Sequence, residues 1–172
     1  MKNNTCAIIA ESPLCFAWGF DEEDDVCAAL KLLVRNAIFQ LQHRGITRFV
    51  VPLDAGFGLY TAEAINGLRD TGLEFELICY IPYEEQSVKW WPDLRDRYYK
   101  TLEKCTEEQF ISNVMTPTCE IDAMLEAIDQ SGTVIAVCSE EEFQDKLFAA
   151  AFRYAERTGR KVMPIRPPKL YK

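Results

Sequence analysis

The chain has 172 residues, of which 48% are hydrophobic and 27% are charged, and its formal net charge at pH 7 is −8. This composition is typical of a folded globular domain and excludes a disordered chain. The negative charge also disfavours binding to nucleic acids, because the summed field of the protein repels polyanions.

Short apolar runs alternate along the chain with longer segments in which apolar residues recur at helical spacing. In chain order, the pattern predicts strand 5–10, helix 24–44, strand 48–51, helix 59–70, strand 75–81, helix 92–104, strand 110–115, helix 120–130, strand 133–138, helix 141–158 and strand 162–165. Such alternation is typical of a parallel sheet joined by right-handed crossovers. The predicted fold class is therefore α/β, a Rossmann-like, doubly wound, mostly parallel sheet with helices on both faces.

Several residues mark the ends of the predicted helices. Gly45 and Gly159 follow helical segments where a left-handed cap would fall, and Pro92 suits the first turn of a helix. The acidic run 140–142 is predicted to lie in the first turn of the last long helix, where carboxylates complement the helix dipole. We predict one domain over residues 1–166, followed by a short basic tail over 167–172.

The apolar runs are too short to span a bilayer, and the N-terminus lacks a basic segment followed by an apolar one. These features predict a cytoplasmic protein. The seven cysteines include no CxxC pair and are predicted to be reduced structural thiols. With His43 as its one histidine, the chain lacks the usual residues for histidine-based zinc sites and catalytic triads.

Sheets of this class bind ligands beyond the carboxyl ends of their strands, near the point where the strand order reverses. The loop after the third predicted strand, PYEEQSVKWW, is rich in aromatic and polar side chains. Its rings can stack on a base, while Glu84 and Gln86 can bind polar edges. The alternative is that the aromatic residues fill core or subunit contacts. For Tyr98 we predict a core position, and for Trp91 and Tyr99 a packing or interface role.

Five segments occur in order over almost the whole chain: GFGLYTAEAI, IPYEEQSVKWWPDLRDRYYKTL, VMTP, AIDQSGTVIAV and AAAFRYAERTGRKV. Together they resemble the YpsA-like branch of the SLOG superfamily, whose relatives include DprA and the LOG phosphoribohydrolases. The resemblance implies a Rossmann-like sensor domain that binds a nucleotide or a nucleotide-derived small molecule, generally without a demonstrated catalytic role.

The resemblance also implies where the ligand binds. Carried over residue by residue, it places the site at Gly56, Glu63, Pro82, Tyr83, Glu84, Gln86 and Trp90. Elsewhere the chain departs from the family pattern: AESPL stands where a TGxRP-like turn is expected, VPL replaces a Ser-Gly-Gly-like turn, and SEEEF replaces a glycine-rich turn. Because glycines in such turns let backbone N–H groups approach phosphate oxygens, we expect little phosphate recognition.

Three functions remain open. The favoured one is a non-enzymatic sensor or regulatory domain that binds a nucleotide-derived or nucleoside-like small molecule. The second is a degenerate SLOG-type domain that acts as a protein-interaction module. The third is a nucleoside or nucleotide N-glycosidic hydrolase with Glu63 as general base, but the PGGxGTxxE-like motif is absent.

No catalytic residue, metal ligand or cofactor is assigned from the sequence, beyond the nucleotide-derived ligand. Asp54, Glu63 and Glu84 form only a weak pattern for a hydrated Mg²⁺. As partners, we expect a small nucleotide-like ligand and a homo-oligomer or a protein, and we expect neither nucleic acid nor membrane.

Overall fold

The computed structural model describes residues 2–170, which contain a six-stranded parallel sheet. The strands are β1 (Thr5–Ala10), β2 (Arg48–Pro52), β3 (Glu76–Tyr83), β4 (Glu107–Ser112), β5 (Thr133–Val137) and β6 (Lys161–Ile165). Their order across the sheet is β4-β3-β2-β1-β5-β6, and each neighbouring pair is parallel. The prediction of a Rossmann-like α/β fold is therefore confirmed.

Five α-helices connect the strands. They are α1 (Asp25–Leu41), α2 (Phe57–Asp70), α3 (Pro92–Lys104), α4 (Cys119–Asp129) and α5 (Lys146–Arg157). Short 3-10 turns occur at Lys2–Asn4, Pro13–Cys15 and Gln42–Arg44. Helices α1, α2 and α3 pack on one face of the sheet, and α4 and α5 pack on the other. The helices therefore cover both faces, as a doubly wound sheet requires.

The core follows from the alternation of side chains along each strand. In β1, Cys6 and Ile8 belong to the apolar cluster under α1 to α3, whereas Ala7 and Ile9 belong to the cluster under α4 and α5. All four are nearly or fully buried, because successive strand residues point to opposite faces and each face is covered. This is why the strands have continuous apolar sequences rather than an apolar–polar alternation.

The predicted position of the fourth strand, 110–115, is wrong at both ends. Pairing with β3 begins directly after α3, where Ile78 lies opposite Glu107. Strand β4 is an edge strand with exposed acidic residues at its start, so its sequence lacks the apolar run that marks a buried strand. Val114 and Met115, which the prediction placed in the strand, lie beyond it and are 66% and 72% exposed.

The predicted start of the last helix is also wrong. Helix α5 begins at Lys146, and the side chain of Asp145 caps it by accepting hydrogen bonds from the N–H groups of Leu147 and Phe148. The acidic run 140–142 therefore lies in the loop before α5 and not in its first turn. The helix predicted over 92–104 matches α3 at both ends.

The strand order reverses between β1 and β5, which are neighbours in the sheet although most of the chain separates them. Ligands of doubly wound sheets bind outside the carboxyl ends of strands at this point. Within residues 2–170, no helix combines the length and the apolar character needed to cross a bilayer. After β6 the chain is irregular to residue 170, and the last two residues of the predicted tail lie outside the described residues.

Candidate functional site

A cleft of about 230 Å³ lies at the carboxyl ends of β1, β2 and β3. It is lined by Ala10, Ser12, Pro13, Leu14, Phe20, Pro52, Leu53, Asp54, Ala55, Pro82, Tyr83, Gln86, Trp90, Glu120, Met124, Asp145 and Leu147. The structure thus brings together Pro82, Tyr83, Gln86 and Trp90, which are four of the seven predicted site residues. Because β3 ends at Tyr83, the predicted aromatic loop leaves the sheet directly beside the cleft.

The other three predicted residues do not line this cleft. Gly56 precedes α2 as its N-terminal cap, and a Cβ atom there would lie 2.5 Å from Cγ of Pro13, so the close approach of the two loops requires a glycine. Glu84 is exposed, and Glu63 lies on α2 beside a different cavity.

Gln86 is a buried polar residue of the loop after β3. Its side-chain Nε2 donates a 2.6 Å hydrogen bond to the carbonyl of Leu53, and the residue is only 8% exposed. Its Oε1 has no hydrogen-bond partner among the described residues. An unpaired buried acceptor costs about 1–3 kcal/mol, so a ligand N–H or O–H that binds Oε1 recovers a favourable interaction.

Asp54 occupies the N-terminus of α2. Its Oδ1 accepts hydrogen bonds from the N–H groups of Gly56 at 2.8 Å and Gly58 at 2.9 Å. Burial raises the pKa of Asp54 to about 6, and the negative charges of Glu120 and Asp145 act in the same direction, whereas the two hydrogen bonds oppose the rise. The carboxylate therefore takes the place at which an anionic ligand would meet this helix.

Glu11 fills the crevice at the strand-order reversal. It follows β1, is fully buried, and accepts hydrogen bonds from the N–H of Ser139 at 2.9 Å, the hydroxyl of Ser139 at 3.0 Å and the N–H of Asp145 at 3.4 Å. Asp145 in turn accepts a 3.0 Å hydrogen bond from the N–H of Ser12. Backbone donors that would face an anion at this crevice are thus bound to carboxylates of the chain itself.

The acidic residues next to the cleft differ from those that the sequence suggested. The run 140–142 lies in the loop before α5, whereas Glu11, Asp54 and Asp145 bind the backbone donors. In the sequence, Glu11 was visible only as the acid of the AESPL turn. None of the described residues that line the cleft is a lysine, arginine or histidine. The charged side chains in the lining, Asp54, Glu120 and Asp145, are therefore all acidic.

The aromatic residues separate into a wall and a support. Tyr98 is 2% exposed, which confirms its predicted core position, and its ring contacts Trp90 edge-on with 5.2 Å between centroids. Trp90 is partly buried and contributes to the cleft wall together with Tyr83. Trp91 is 61% exposed and contacts Phe20, another lining residue, with 5.1 Å between ring centroids. The wall can thus hold a flat, partly apolar ligand.

A second cavity, of about 480 Å³, lies between α1, α2 and α3 and contains Glu63 and Arg97 in its lining. The Arg97 guanidinium binds both oxygens of Glu63, at 2.7 and 3.1 Å, and both oxygens of Glu22, at 2.6 and 2.8 Å. Burial opposes ionisation of Glu22, but hydrogen bonds from Arg97 and Lys31 lower its pKa overall. Glu63 is therefore engaged in an ion pair that joins helices, a poor arrangement for a general base.

The weak Mg²⁺ pattern in the sequence does not correspond to a cluster in space. Asp54 lines the cleft, Glu63 pairs with Arg97 and Glu84 is exposed. Within the part of the chain that the structure describes, no group of three or more histidine, cysteine or acidic side chains is arranged to hold a metal ion.

The comparison with known protein families agrees with the resemblance seen in the sequence. The model of the YspA SLOG family (YpsA) matches residues 14–162, which include all five α-helices and begin just after Glu11. No curated protein matches the chain. Because the family model spans well over half of the sequence, the chain belongs to the YspA SLOG family.

Proposed function

We propose that this chain is a non-enzymatic sensor or regulatory domain whose cleft binds a nucleoside-like small molecule through its base. The observation that carries the proposal is Gln86, a buried residue of the cleft lining whose Nε2 donates to the carbonyl of Leu53 and whose Oε1 has no hydrogen-bond partner among the described residues. Tyr83 and Trp90 in the same wall supply apolar ring surface for stacking.

The size of the cleft favours a small ligand. Pockets for drug-sized molecules usually enclose about 300–1,000 Å³, and this cleft encloses about 230 Å³. A nucleobase or a nucleoside suits that volume better than a dinucleotide.

The charge of the cleft disfavours phosphate groups. Asp54 binds the N–H groups at the start of α2, and Asp145 caps α5. A phosphate would have to displace or approach these carboxylates, and like charges at such sites repel one another. Recognition of a base without phosphates avoids this cost.

The two alternative functions, a hydrolase and a protein-interaction module, have less support than ligand binding in the cleft. An N-glycosidic hydrolase would need a free general base, whereas Glu63 has both oxygens bound to Arg97. A protein-interaction module is favoured by the exposed apolar residues Val114 and Met115 after β4 and by the partly exposed Phe110 within it.

Thermal unfolding in the presence of nucleosides and of the matching triphosphates tests the proposal. A ligand at one hundred times its dissociation constant adds about 2.7 kcal/mol of apparent stability. For a domain of this size the unfolding midpoint then rises by roughly 5–10 °C. We expect at least one nucleoside to produce such a shift and the triphosphates to produce smaller ones.

Two variants of the same loop localise the effect. Gln86→Leu removes the free acceptor and should abolish the nucleoside-induced shift, measured relative to the ligand-free variant. Glu84→Ala, at an exposed position outside the cleft, should leave the shift unchanged. If no nucleoside shifts the transition of the parent protein, the interaction module becomes the better proposal. A full shift in Gln86→Leu would mean that the ligand binds elsewhere.

A further inference from the structure

The geometry of the cleft points to a ligand of particular charge: we propose that it binds a nucleoside whose base carries a positive charge, as N-alkylated purines and pyrimidines do. This inference rests on the proposed function, because it names the ligand class for the same cleft. Its basis is the set of carboxylates in the lining, together with an unpaired buried acceptor.

The first observation is negative charge without a counter-ion. Asp54, Glu120 and Asp145 line the cleft, and none of them takes part in an ion pair with another described residue. Elsewhere on the molecule the pattern is different, since Glu22 and Glu63 share Arg97. The cleft is thus a place where the fold assembles carboxylates and supplies no cation.

The pKa values of Glu120 and Asp54 reflect the negative charge gathered in the cleft. Although Glu120 is exposed as a whole residue, partial desolvation of its carboxyl raises its pKa, and the nearby charge of Asp145 raises it further. Burial likewise raises the pKa of Asp54 to about 6, with added repulsion from Glu120 and Asp145. A cation bound in the cleft would relieve this repulsion, because an opposite charge within a few ångströms favours the ionised carboxylate.

The second, independent observation is the side chain of Gln86. It is 8% exposed, lines the cleft, and has its Nε2 held by the carbonyl of Leu53 while Oε1 is unpaired. The atom of this amide that is left without a partner is therefore an acceptor and not a donor. A cationic base fits this requirement because its exocyclic or ring N–H groups are donors, whereas a phosphate or carboxylate has only acceptors to offer.

The aromatic residues of the cleft favour a cationic aromatic ring over a linear cation such as a polyamine. Tyr83, Trp90 and Phe20 line the same cleft, and a cation over an aromatic face gains about 0.5–2 kcal/mol. A linear polyamine would satisfy the carboxylates but would leave the ring surface unused. A positively charged heteroaromatic base satisfies the carboxylates, the rings and the acceptor together.

The test uses probes that separate charge, methyl group and ring. 1-Methyladenosine carries a positive charge at neutral pH, adenosine lacks both the methyl group and the charge, 2′-O-methyladenosine has a methyl group without the charge, and spermidine has charge without a ring. Binding is measured by calorimetry at low and at moderate salt. We expect 1-methyladenosine to bind at least tenfold more tightly than both neutral nucleosides and spermidine, with an advantage that falls as salt rises.

A pair of variants on α4 assigns the effect to the cleft. Glu120→Gln, in the first turn, removes one lining carboxylate and should weaken the binding of 1-methyladenosine several-fold more than the binding of adenosine. Glu126→Gln, on the same helix and also exposed but outside the lining, should change neither.

The outcomes separate this inference from the proposed function. Equal binding of adenosine and 1-methyladenosine would overturn the inference and leave nucleoside binding in place. Binding of spermidine with the same affinity as 1-methyladenosine would also overturn it, since charge alone would then be recognised. If no nucleoside binds, both proposals fail. A preference for 1-methyladenosine that Glu120→Gln leaves intact would overturn the assignment to this cleft.

Discussion

Replacement of Glu11 by alanine tests whether a carboxylate of the chain fills the crevice between β1 and β5. The change removes an acceptor that binds the N–H and hydroxyl of Ser139 at 2.9 and 3.0 Å and the N–H of Asp145 at 3.4 Å. The hydroxyl can rotate to another partner, but the two backbone N–H groups cannot. Each backbone donor left unpaired in a buried place costs about 1–3 kcal/mol.

The net effect is smaller than the sum of these losses. The 3.4 Å bond to Asp145 is weak, and removing a buried carboxylate also removes the cost of its desolvation. We therefore expect Glu11→Ala to lose about 3 kcal/mol of unfolding free energy. At about 2–4 °C per kcal/mol for a chain of this size, the unfolding midpoint should fall by roughly 6–12 °C.

Urea unfolding followed by circular dichroism gives the free energy, and calorimetry gives the midpoint. Glu141→Ala is the matched control, because Glu141 is exposed in the loop before α5 and its replacement should cost less than about 0.5 kcal/mol. Added formate, which resembles the missing carboxylate, should restore part of the stability of Glu11→Ala and none of that of the control. Equal stability of the two variants would refute the role given to Glu11.

Three further predictions follow from the ionisable groups. The folded pKa of Asp54, about 6, exceeds its ordinary value of 3.8, so the folded state binds the proton more tightly and loses stability as pH rises through this range. The stability of Asp54→Asn relative to the parent should therefore increase between pH 4 and pH 6. A difference in urea titrations that does not change with pH would contradict this. Arg97→Met should lose about 1–3 kcal/mol of unfolding free energy at neutral pH, a value between those for exposed and buried ion pairs. The loss should be smaller at low pH, because Glu22, whose pKa is lowered, is then protonated. An equal loss at both pH values would count against the ion pair. Iodoacetamide should alkylate Cys105 before the other cysteines in a mass-spectrometric time course. Cys105 is partly exposed, and a hydrogen bond from Cys79 lowers the pKa of its thiol. Faster alkylation of another cysteine would contradict this.

The sheet and most helices were predictable from the sequence because both depend on local patterns. Buried parallel strands give continuous apolar runs, and Pro92 marks the start of α3 because it lacks the N–H that a first turn leaves unpaired. Strand β4 was misplaced because an edge strand tolerates charged residues, and its position depends on pairing with β3. The start of α5 was misplaced because three glutamates resemble a first turn, whereas the cap is Asp145.

The candidate site was only partly predictable, because it depends on contacts between distant segments. Tyr83 and Gln86 were identified from the loop after β3, which a parallel sheet delivers to the carboxyl edge. Glu63 was placed with them by the resemblance, but the packing of α2 against α3 directs it to Arg97. The role of Glu11 requires β1 and β5 to be neighbours, since its partner Ser139 is 128 positions away in the chain.

The weak phosphate binding and the preference for a cation that we propose have a common electrostatic origin. A helix N-terminus offers only about half of a positive charge, so a carboxylate that caps it leaves about half of a negative charge uncompensated. Asp54 at α2 and Asp145 at α5 each leave such an excess, and Glu120 at the start of α4 adds to it. Salt therefore distinguishes the two classes of ligand: rising ionic strength should weaken the binding of a cationic base by screening attraction, and should favour any phosphorylated ligand by screening repulsion.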